Sequence, residues 1–229
     1  MIAKEELNIL WSLEQTAEKY EDRVAVSDVN QELTWKGLVK KAQVIGAELS
    51  KKVQPGNPIP VLLEKSSETL AVMLGIVYAG CFYVPVNPMN PAERLRKIME
   101  KLEPEVIISD EKGKEQLAAV GVGLEEKVIG PEILLPTTGT DLSEEQRSRL
   151  EQIQGQWKET DALYGIFTSG STGTPKAIVV SHGAVSRFVR HFTEIFEITS
   201  EDVIGNQAPF DFDVSVKDIY SSRSEEHTS

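Results

Sequence analysis

The stretch PIPVLLEKSSETLAVMLGIVYAGCFYVPVN, Pro58 to Asn87, decides the fold class. PIPVLLE is a short apolar run with the look of a strand buried on both faces. SSETLAVMLGIVYAG then reads as a helix, with Ser66 or Ser67 as N-cap and Gly80 as its stop. CFYVPVN reads as a second strand, so the three segments form a strand–helix–strand unit. Gly75, Gly80 and the prolines interrupt the apolar run and charges adjoin it. It is therefore expected to be a buried helix leading into a strand, with no membrane insertion.

The same rhythm continues on both sides. Upstream, NILWSLEQTAEKY reads as an amphipathic helix and RVAVSD as a short strand. LTWKGLVKKAQVIGAELSKK places Leu38, Ala42, Ile45 and Leu49 on one helical face, with Thr34 as N-cap. Downstream, NPMNPAERLRKIMEKLEP is a turn and then a helix punctuated by Pro91 and Pro104, and EVIISD is a strand. Such alternation predicts an α/β fold with a mainly parallel sheet. Residues 111–161 are more polar and irregular, with an exposed helix expected from about Ser143. Beyond them ALYGIF, AIVVSH and DVIGNQ read as strands. GAVSRFVRHFTEIFEI puts Val185, Phe188, Val189, Phe192 and Phe196 on one face of a helix.

Between the strands ALYGIF and AIVVSH lies a loop rich in glycine and hydroxyl groups. Gly170 and Gly173 allow successive N–H groups to converge on one point. Ser169, Ser171, Thr172 and Thr174 add hydroxyl donors, Pro175 stiffens the exit, and Lys176 supplies a positive charge suited to phosphate oxygens. This differs from the common nucleotide P-loop: Thr174 and Pro175 separate Gly173 from the lysine, and the loop leads into a strand instead of a helix.

FTSGSTGTPKAIVVSH closely resembles the signature of the adenylate-forming ligases, which include acyl-CoA synthetases, luciferases and the adenylation domains of nonribosomal peptide synthetases. YAGCFYVPVNPMNPAERL resembles the AGAAYVPLDPxYPxxR pattern of the amino-acid-activating branch. ELTWKGL resembles its LTYxEL element, and FDVSV, Phe212 to Val216, its FDxSV element. The fold this resemblance implies is the N-terminal part of the family's large domain. That part consists of parallel-sheet βαβ subdomains with helices on both faces, truncated in the second sheet. Residues 1–222 would be a partial AMP-binding domain, with a first sheet subdomain over 1–110, a connecting region over 111–161 and the start of a second over 162–222.

The reaction the resemblance implies has two halves. A carboxylate attacks the α-phosphate of Mg-ATP to give an acyl-adenylate and pyrophosphate, and a thiol then takes the acyl group. ATP and Mg2+ are thus the implied cofactors. Thr168, Ser169, Gly170, Ser171, Thr172, Gly173, Thr174 and Lys176 would hold the leaving β- and γ-phosphates, and Asp213 would pair with the α-ammonium group of an amino acid. No catalytic residue is expected in this chain, because the family's catalytic lysine belongs to a small C-terminal domain. The implied partners are an amino acid and a phosphopantetheinylated carrier protein. NQAPFDFDVSVKDIY is most like the D-alanine–carrier protein ligases, which makes D-alanine a candidate substrate. Asp211 stands where those ligases have Ser, Lys217 where they have Met, and Ala177 where the wider family has Gly after the lysine. Asp211 is expected to point away from Asp213 and the substrate. Two alternatives stay open: an acyl- or aryl-CoA synthetase, and a non-catalytic ATP-binding protein.

Composition bounds the partners. The formal net charge is −12, from 24 Lys+Arg against 36 Asp+Glu, which argues against a nucleic-acid partner or an anionic membrane surface. Cys81 is the single cysteine; with no secretory signal at the N-terminus, a reducing, cytoplasmic location is expected. Cys81 reads as a small buried residue and His182 as a capping and packing residue at a helix start, while His191 and His227 lack metal-ligand companions. The last seven residues, RSEEHTS at Arg223 to Ser229, are the translation of the common sequencing-adapter string AGATCGGAAGAGCACACGTCT. They are expected to be an artefact on a truncated gene. The chain is therefore expected to be unable to complete adenylation and to expose apolar surface where the second sheet stops.

Overall fold

The computed structural model describes residues 7–120, 123–134, 141–168 and 175–222. Helix α1, Ile9–Lys19, starts at Asn8, whose side chain accepts the Leu10 N–H. Strands β1, Val24–Ser27, and β2, Glu32–Thr34, pair antiparallel as a separate ribbon. Helix α2, Trp35–Ser50, is capped by Thr34, whose hydroxyl accepts the Gly37 N–H at 3.1 Å. Leu38, Ala42, Ile45 and Leu49 are fully buried, as their spacing predicts.

The decisive stretch folds as read: β3 is Pro58–Leu62, α3 is Ser67–Tyr78 and β4 is Phe82–Pro85. Ser66 is the cap, its hydroxyl accepting the Thr69 N–H at 3.1 Å. Gly80 turns the chain at φ +75°, where a side chain would be strained. Helix α4, Ala92–Leu102, runs between Pro91 and Pro104 to β5, Ile107–Ser109. Strands β3, β4 and β5 pair in parallel with β3 in the middle. The chain therefore crosses to one side through α3 and back to the other through α4.

Strand alternation sorts the core into two layers. Ile59, Val61, Tyr83 and Ile108 pack with α2 and α3. Leu62, Val84 and Ile107 pack with Leu95, Ile98 and Met99 of α4 and with Leu117 of α5, Glu111–Val120. Helices thus cover both faces of the sheet, as expected. The α2–α3 contact is close: a Cβ on Gly46 would lie 2.5 Å from Tyr78 Cβ, and one on Gly75 would lie 2.4 Å from Ile45 Cγ2.

The polar region after β5 is more than a connector. It contributes β6, Val128–Ile129, which extends the sheet beside β5, and a short helix α6, Pro131–Leu134. Helix α7, Glu144–Gly155, begins at Ser143 with reciprocal capping by Gln146. It is tied to α2 through Gln146 Nε2, which donates to Glu48 at 2.8 Å, and through Arg149, which donates to the hydroxyl and carbonyl of Ser50.

Strands β7, Ala162–Thr168, and β8, Lys176–Ser181, were expected to begin a second sheet. Instead they extend the first, giving the order β6-β5-β3-β4-β7-β8. β7 lies parallel to β4 at Tyr83↔Tyr164, and β8 returns antiparallel to β7. DVIGNQ, expected as a strand, has no strand structure. Val203 in it is 98% exposed; an apolar run forms a strand only where a partner edge takes its hydrogen bonds. In α8, His182–Ile195, Val185 and Val189 are buried as expected. Phe188 and Phe196 from the same predicted face are 48% and 63% exposed. They stack with Phe192 into a surface ridge, at centroid distances of 5.8 and 4.6 Å. Helix α9, Val214–Ser221, closes the described chain. No helix among the described residues is long and apolar enough to cross a membrane.

Candidate functional site at the carboxyl edge of the sheet

The crossovers after β3 and β4 leave on opposite sides, which opens a crevice at the carboxyl ends of these strands. A cleft of about 190 Å³ lies there, lined by Val61, Lys65, Asn87, Met89, Phe210 and Asp211 among others. Strand β7 runs in the same direction as β4 and ends at Thr168. Thr168 and Lys176 are the last residue pair of the β7–β8 ladder, both exposed, with Pro175 buried between the two strands. Ser169, Gly170, Ser171, Thr172, Gly173 and Thr174 lie outside the described residues. The Lys176 ammonium has no ion-pair or hydrogen-bond partner among the described residues. Arg94, in the first turn of α4, fixes the start of the loop by donating from Nη2 to the Phe167 carbonyl at 3.2 Å.

The segment carrying Asp213 is a turn leading into α9, not an extended strand, in which residues two apart such as Asp211 and Asp213 would in fact share a face. Phe212 N–H donates to Pro209 O at 3.2 Å, Ser215 N–H to Phe212 O at 3.0 Å and Val216 N–H to Asp213 O at 3.0 Å. Asp211 lines the strand-end cleft, and Asp213 is not among its lining residues. Burial raises its carboxyl above the ordinary range, against the opposing pull of its own backbone N–H and of Arg94.

Asp213 occupies the N-cap position of α9 yet makes no side-chain capping bond. It is exposed, and among the described residues its carboxylate has no hydrogen-bonding or ion-pair partner. Asp213 lies close enough to β7 that its charge, after the larger effect of burial, raises the Tyr164 phenol. Tyr164 stacks on Tyr83 at 6.0 Å, and the Tyr83 hydroxyl meets that of Tyr220 in α9 at 2.9 Å. The sheet and α9 are thus locked together behind Asp213. Farther along the helix, buried Asp218 takes the Lys217 ammonium and the Asn206 amide, the latter at 3.2 Å.

His182 and Cys81 stand at the other, amino end of the parallel strands. The capping expected of His182 is performed by Ser181, whose hydroxyl accepts the Ala184 N–H at 3.3 Å. His182 packs edge-on against Trp157 at 5.7 Å, and burial pushes its imidazole down to about 3, leaving it neutral. Burial likewise pushes the Cys81 thiol up to about 11, and Cys81 Sγ donates to Gln54 O at 3.3 Å. Neither group is poised for acid–base or nucleophilic work near neutral pH. Among the described residues no group of three or more His, Cys, Asp or Glu is placed to hold a metal ion.

Lys65 and Arg94 escaped the sequence reading. A usable signal was there: each stands in the loop or first helical turn that follows a parallel strand, where such sheets bind ligands.

The family model described as AMP-binding enzyme matches residues 13–225. Tyrocidine synthase 1 of Brevibacillus parabrevis is 31% identical over 208 residues, covering 90% of this chain and 18% of its own length. Bacitracin synthase 1 of Bacillus licheniformis is 30% identical over 212 residues, covering 90% of this chain and 4% of its own. Among solved structures, the nonribosomal peptide synthetase FmoA3 superposes with a TM-score of 0.78 at 25% identity, covering 93% of this chain and 21% of that one. The chain thus spans less than a fifth of the length of these curated relatives.

Proposed function

Because the chain belongs to the AMP-binding enzyme family, we propose that it is the N-terminal ATP- and substrate-binding part of an amino-acid-activating ligase. The amino acid carboxylate would attack the α-phosphorus of ATP; the bond to pyrophosphate breaks and an aminoacyl-adenylate forms. The thiol of a phosphopantetheinylated carrier protein then takes the aminoacyl group and releases AMP. Mg2+ enters as the partner of ATP, where it neutralises phosphate charge.

The observation that supports this reading is that Lys176 and Asp213 both carry charges without a partner among the described residues. Lys176, with the loop from Thr168, offers a cation and donors to the departing β- and γ-phosphates. Asp213 offers a carboxylate, engaged neither with its own helix nor with a neighbouring cation, to an α-ammonium group. A carboxylate at that place also rejects amine-free acids, which would leave it facing an unpaired group. D-alanine is the first amino acid to try, given NQAPFDFDVSVKDIY. The catalytic lysine is assigned to a C-terminal domain outside this chain, so the chain alone is proposed to bind without adenylating.

The test is amino-acid-dependent pyrophosphate exchange by a longer form that contains this chain, with D-alanine compared against other amino acids and amine-free acids. Asp213→Asn should lower kcat/KM for the preferred amino acid by about 30-fold or more, the loss typical of one partner of a charged pair. Exchange driven equally well by amine-free acids would instead identify an acyl- or aryl-CoA synthetase.

A further inference from the structure

Lys65 stands just beyond the carboxyl end of β3, and its ammonium pairs with neither of the sequence neighbours Glu64 and Glu68. Glu64 is engaged by Lys112 at 3.3 Å and Glu68 by Lys41 at 2.6 Å. Lys65 Nζ instead donates to two main-chain carbonyls far along the chain, Asn206 O at 2.5 Å and Ala208 O at 3.1 Å. The Phe210 ring lies beneath it, 5.8 Å from Nζ to centroid. The tethered segment has no regular structure of its own, and it leads directly into the turn that presents Asp213. Lys65 and Phe210 also line both the strand-end cleft and a larger cleft of about 720 Å³ beside β1 and α9, so together they form the wall between the two.

We propose that Lys65 is a positioning residue for amine recognition: by holding the carbonyls of Asn206 and Ala208 it sets the place of the Pro209–Asp213 turn and thereby of the Asp213 carboxylate. This rests on the reading of Asp213 given above. Removing water from around the Lys65 ammonium disfavours its charge, against the opposing pull of the Asp218 carboxylate, while the carbonyls and the Phe210 ring face give it direct contacts. The arrangement needs a cation on a flexible stem, which a neutral side chain of equal length does not supply. Displacement of a charged recognition group by about 1 Å is enough to cost on the order of 100-fold in a positioned reaction.

The experiment uses the chain as it stands, with Lys65→Met, which keeps the stem and removes the charge, and Lys65→Arg, which restores a cationic donor. Amide exchange is read at Phe212, Ser215 and Val216, whose N–H groups build the turn. Lys65→Met should speed exchange there by about tenfold or more while core strand amides stay protected, and Lys65→Arg should recover most of the protection. Binding of D-alanine and of propionate is then titrated on the same proteins and on Asp213→Asn. Lys65→Met and Asp213→Asn should each weaken D-alanine by about tenfold and leave propionate unchanged. Unchanged exchange at the turn in Lys65→Met overturns the proposal, as does weakening by Asp213→Asn without weakening by Lys65→Met. If the unaltered chain shows no preference for the amine, or Asp213→Asn changes nothing, the amine reading fails and the recognition role of Lys65 falls with it. The exchange rates alone still report whether Lys65 holds the turn.

Discussion

Asp213 and Asp218 belong to one short helix, and their surroundings give them opposite uses. Asp218 is buried and satisfied by Lys217 and Asn206, so it belongs to the architecture. Removing this buried carboxylate takes away the acceptor of Asn206 and of the partly exposed Lys217, and Asp218→Ala should cost about 1–3 kcal/mol in urea denaturation. Asp213→Asn removes a carboxylate with no hydrogen-bonding or ion-pair partner among the described residues and should stay within about 0.5 kcal/mol of the unaltered chain. A large loss of stability at Asp213 would mean that the carboxylate has a structural partner, and the amine reading would weaken. His182 offers a second measurement of this kind. Its folded pKa is pushed down to about 3 from an ordinary 6.5. Above pH 6.5 neither the folded nor the unfolded chain protonates it, and the full stability is present. As pH falls from 6.5 toward 3, the unfolded chain takes up a proton that the folded chain refuses. Stability then drops by up to about 1.4 kcal/mol per pH unit. His182→Phe, which keeps an aromatic ring against Trp157, should flatten the dependence of the urea midpoint between pH 6.5 and 4.5. Equal slopes in both proteins would show that His182 is solvated in the fold.

At the level of elements, α2 and α3 cross in close contact. Both glycines there are filled space: the Cβ of Gly75→Ala would stand 2.4 Å from Ile45 Cγ2 and 3.0 Å from the Ala42 carbonyl. The obstacles are a fully buried side chain and the backbone of the neighbouring helix, so neither yields cheaply. Although alanine is the better helix former, Gly75→Ala should destabilise by about 1–3 kcal/mol in urea denaturation, and a gain in stability would contradict the packing described. No feature of the sequence announced that crossing, whereas the helix ends were easily read. Thr34, Ser66 and Ser143 cap their own helices through bonds to residues three positions away, a code written locally. Pairing is not local, and that is where the reading failed. DVIGNQ has strand composition but pairs with no strand of the sheet, whereas β7 pairs with β4, far back in the chain. The site divides in the same way. Asp213 and Lys176 were legible from their motifs, but the turn at 209–213 was not. The long-range bonds of Lys65 and Arg94 were not legible either, because the carbonyls they hold lie far away in the chain.

For the whole molecule, two opposing surface properties decide behaviour in solution. The net charge of −12 keeps copies apart. Against it stand two apolar features on neighbouring elements. β8 is the last strand of its sheet, with Ile178 and Val179 47% and 54% exposed. The ridge of α8 adds Phe188, Ile195 and Phe196 at 48%, 72% and 63% exposed. A terminal strand with branched apolar side chains is a template for another chain, and nothing charged interrupts this one between Ala177 and Ser181. The isolated chain should therefore self-associate as its concentration rises, through apolar burial opposed by charge. That balance has a diagnostic salt dependence. Salt screens the repulsion over about 10 Å at 0.1 M and leaves apolar contact intact, so association should strengthen as salt is added; ionic contacts would weaken. Phe188→Ser and Phe196→Ser should each raise the dissociation constant about tenfold, the equivalent of burying roughly half of one such ring. Sedimentation velocity over a concentration and salt series reads both effects. A monomer at every concentration would mean that the ridge and the edge strand are covered, and association that weakens with salt would place the contact on charged faces instead.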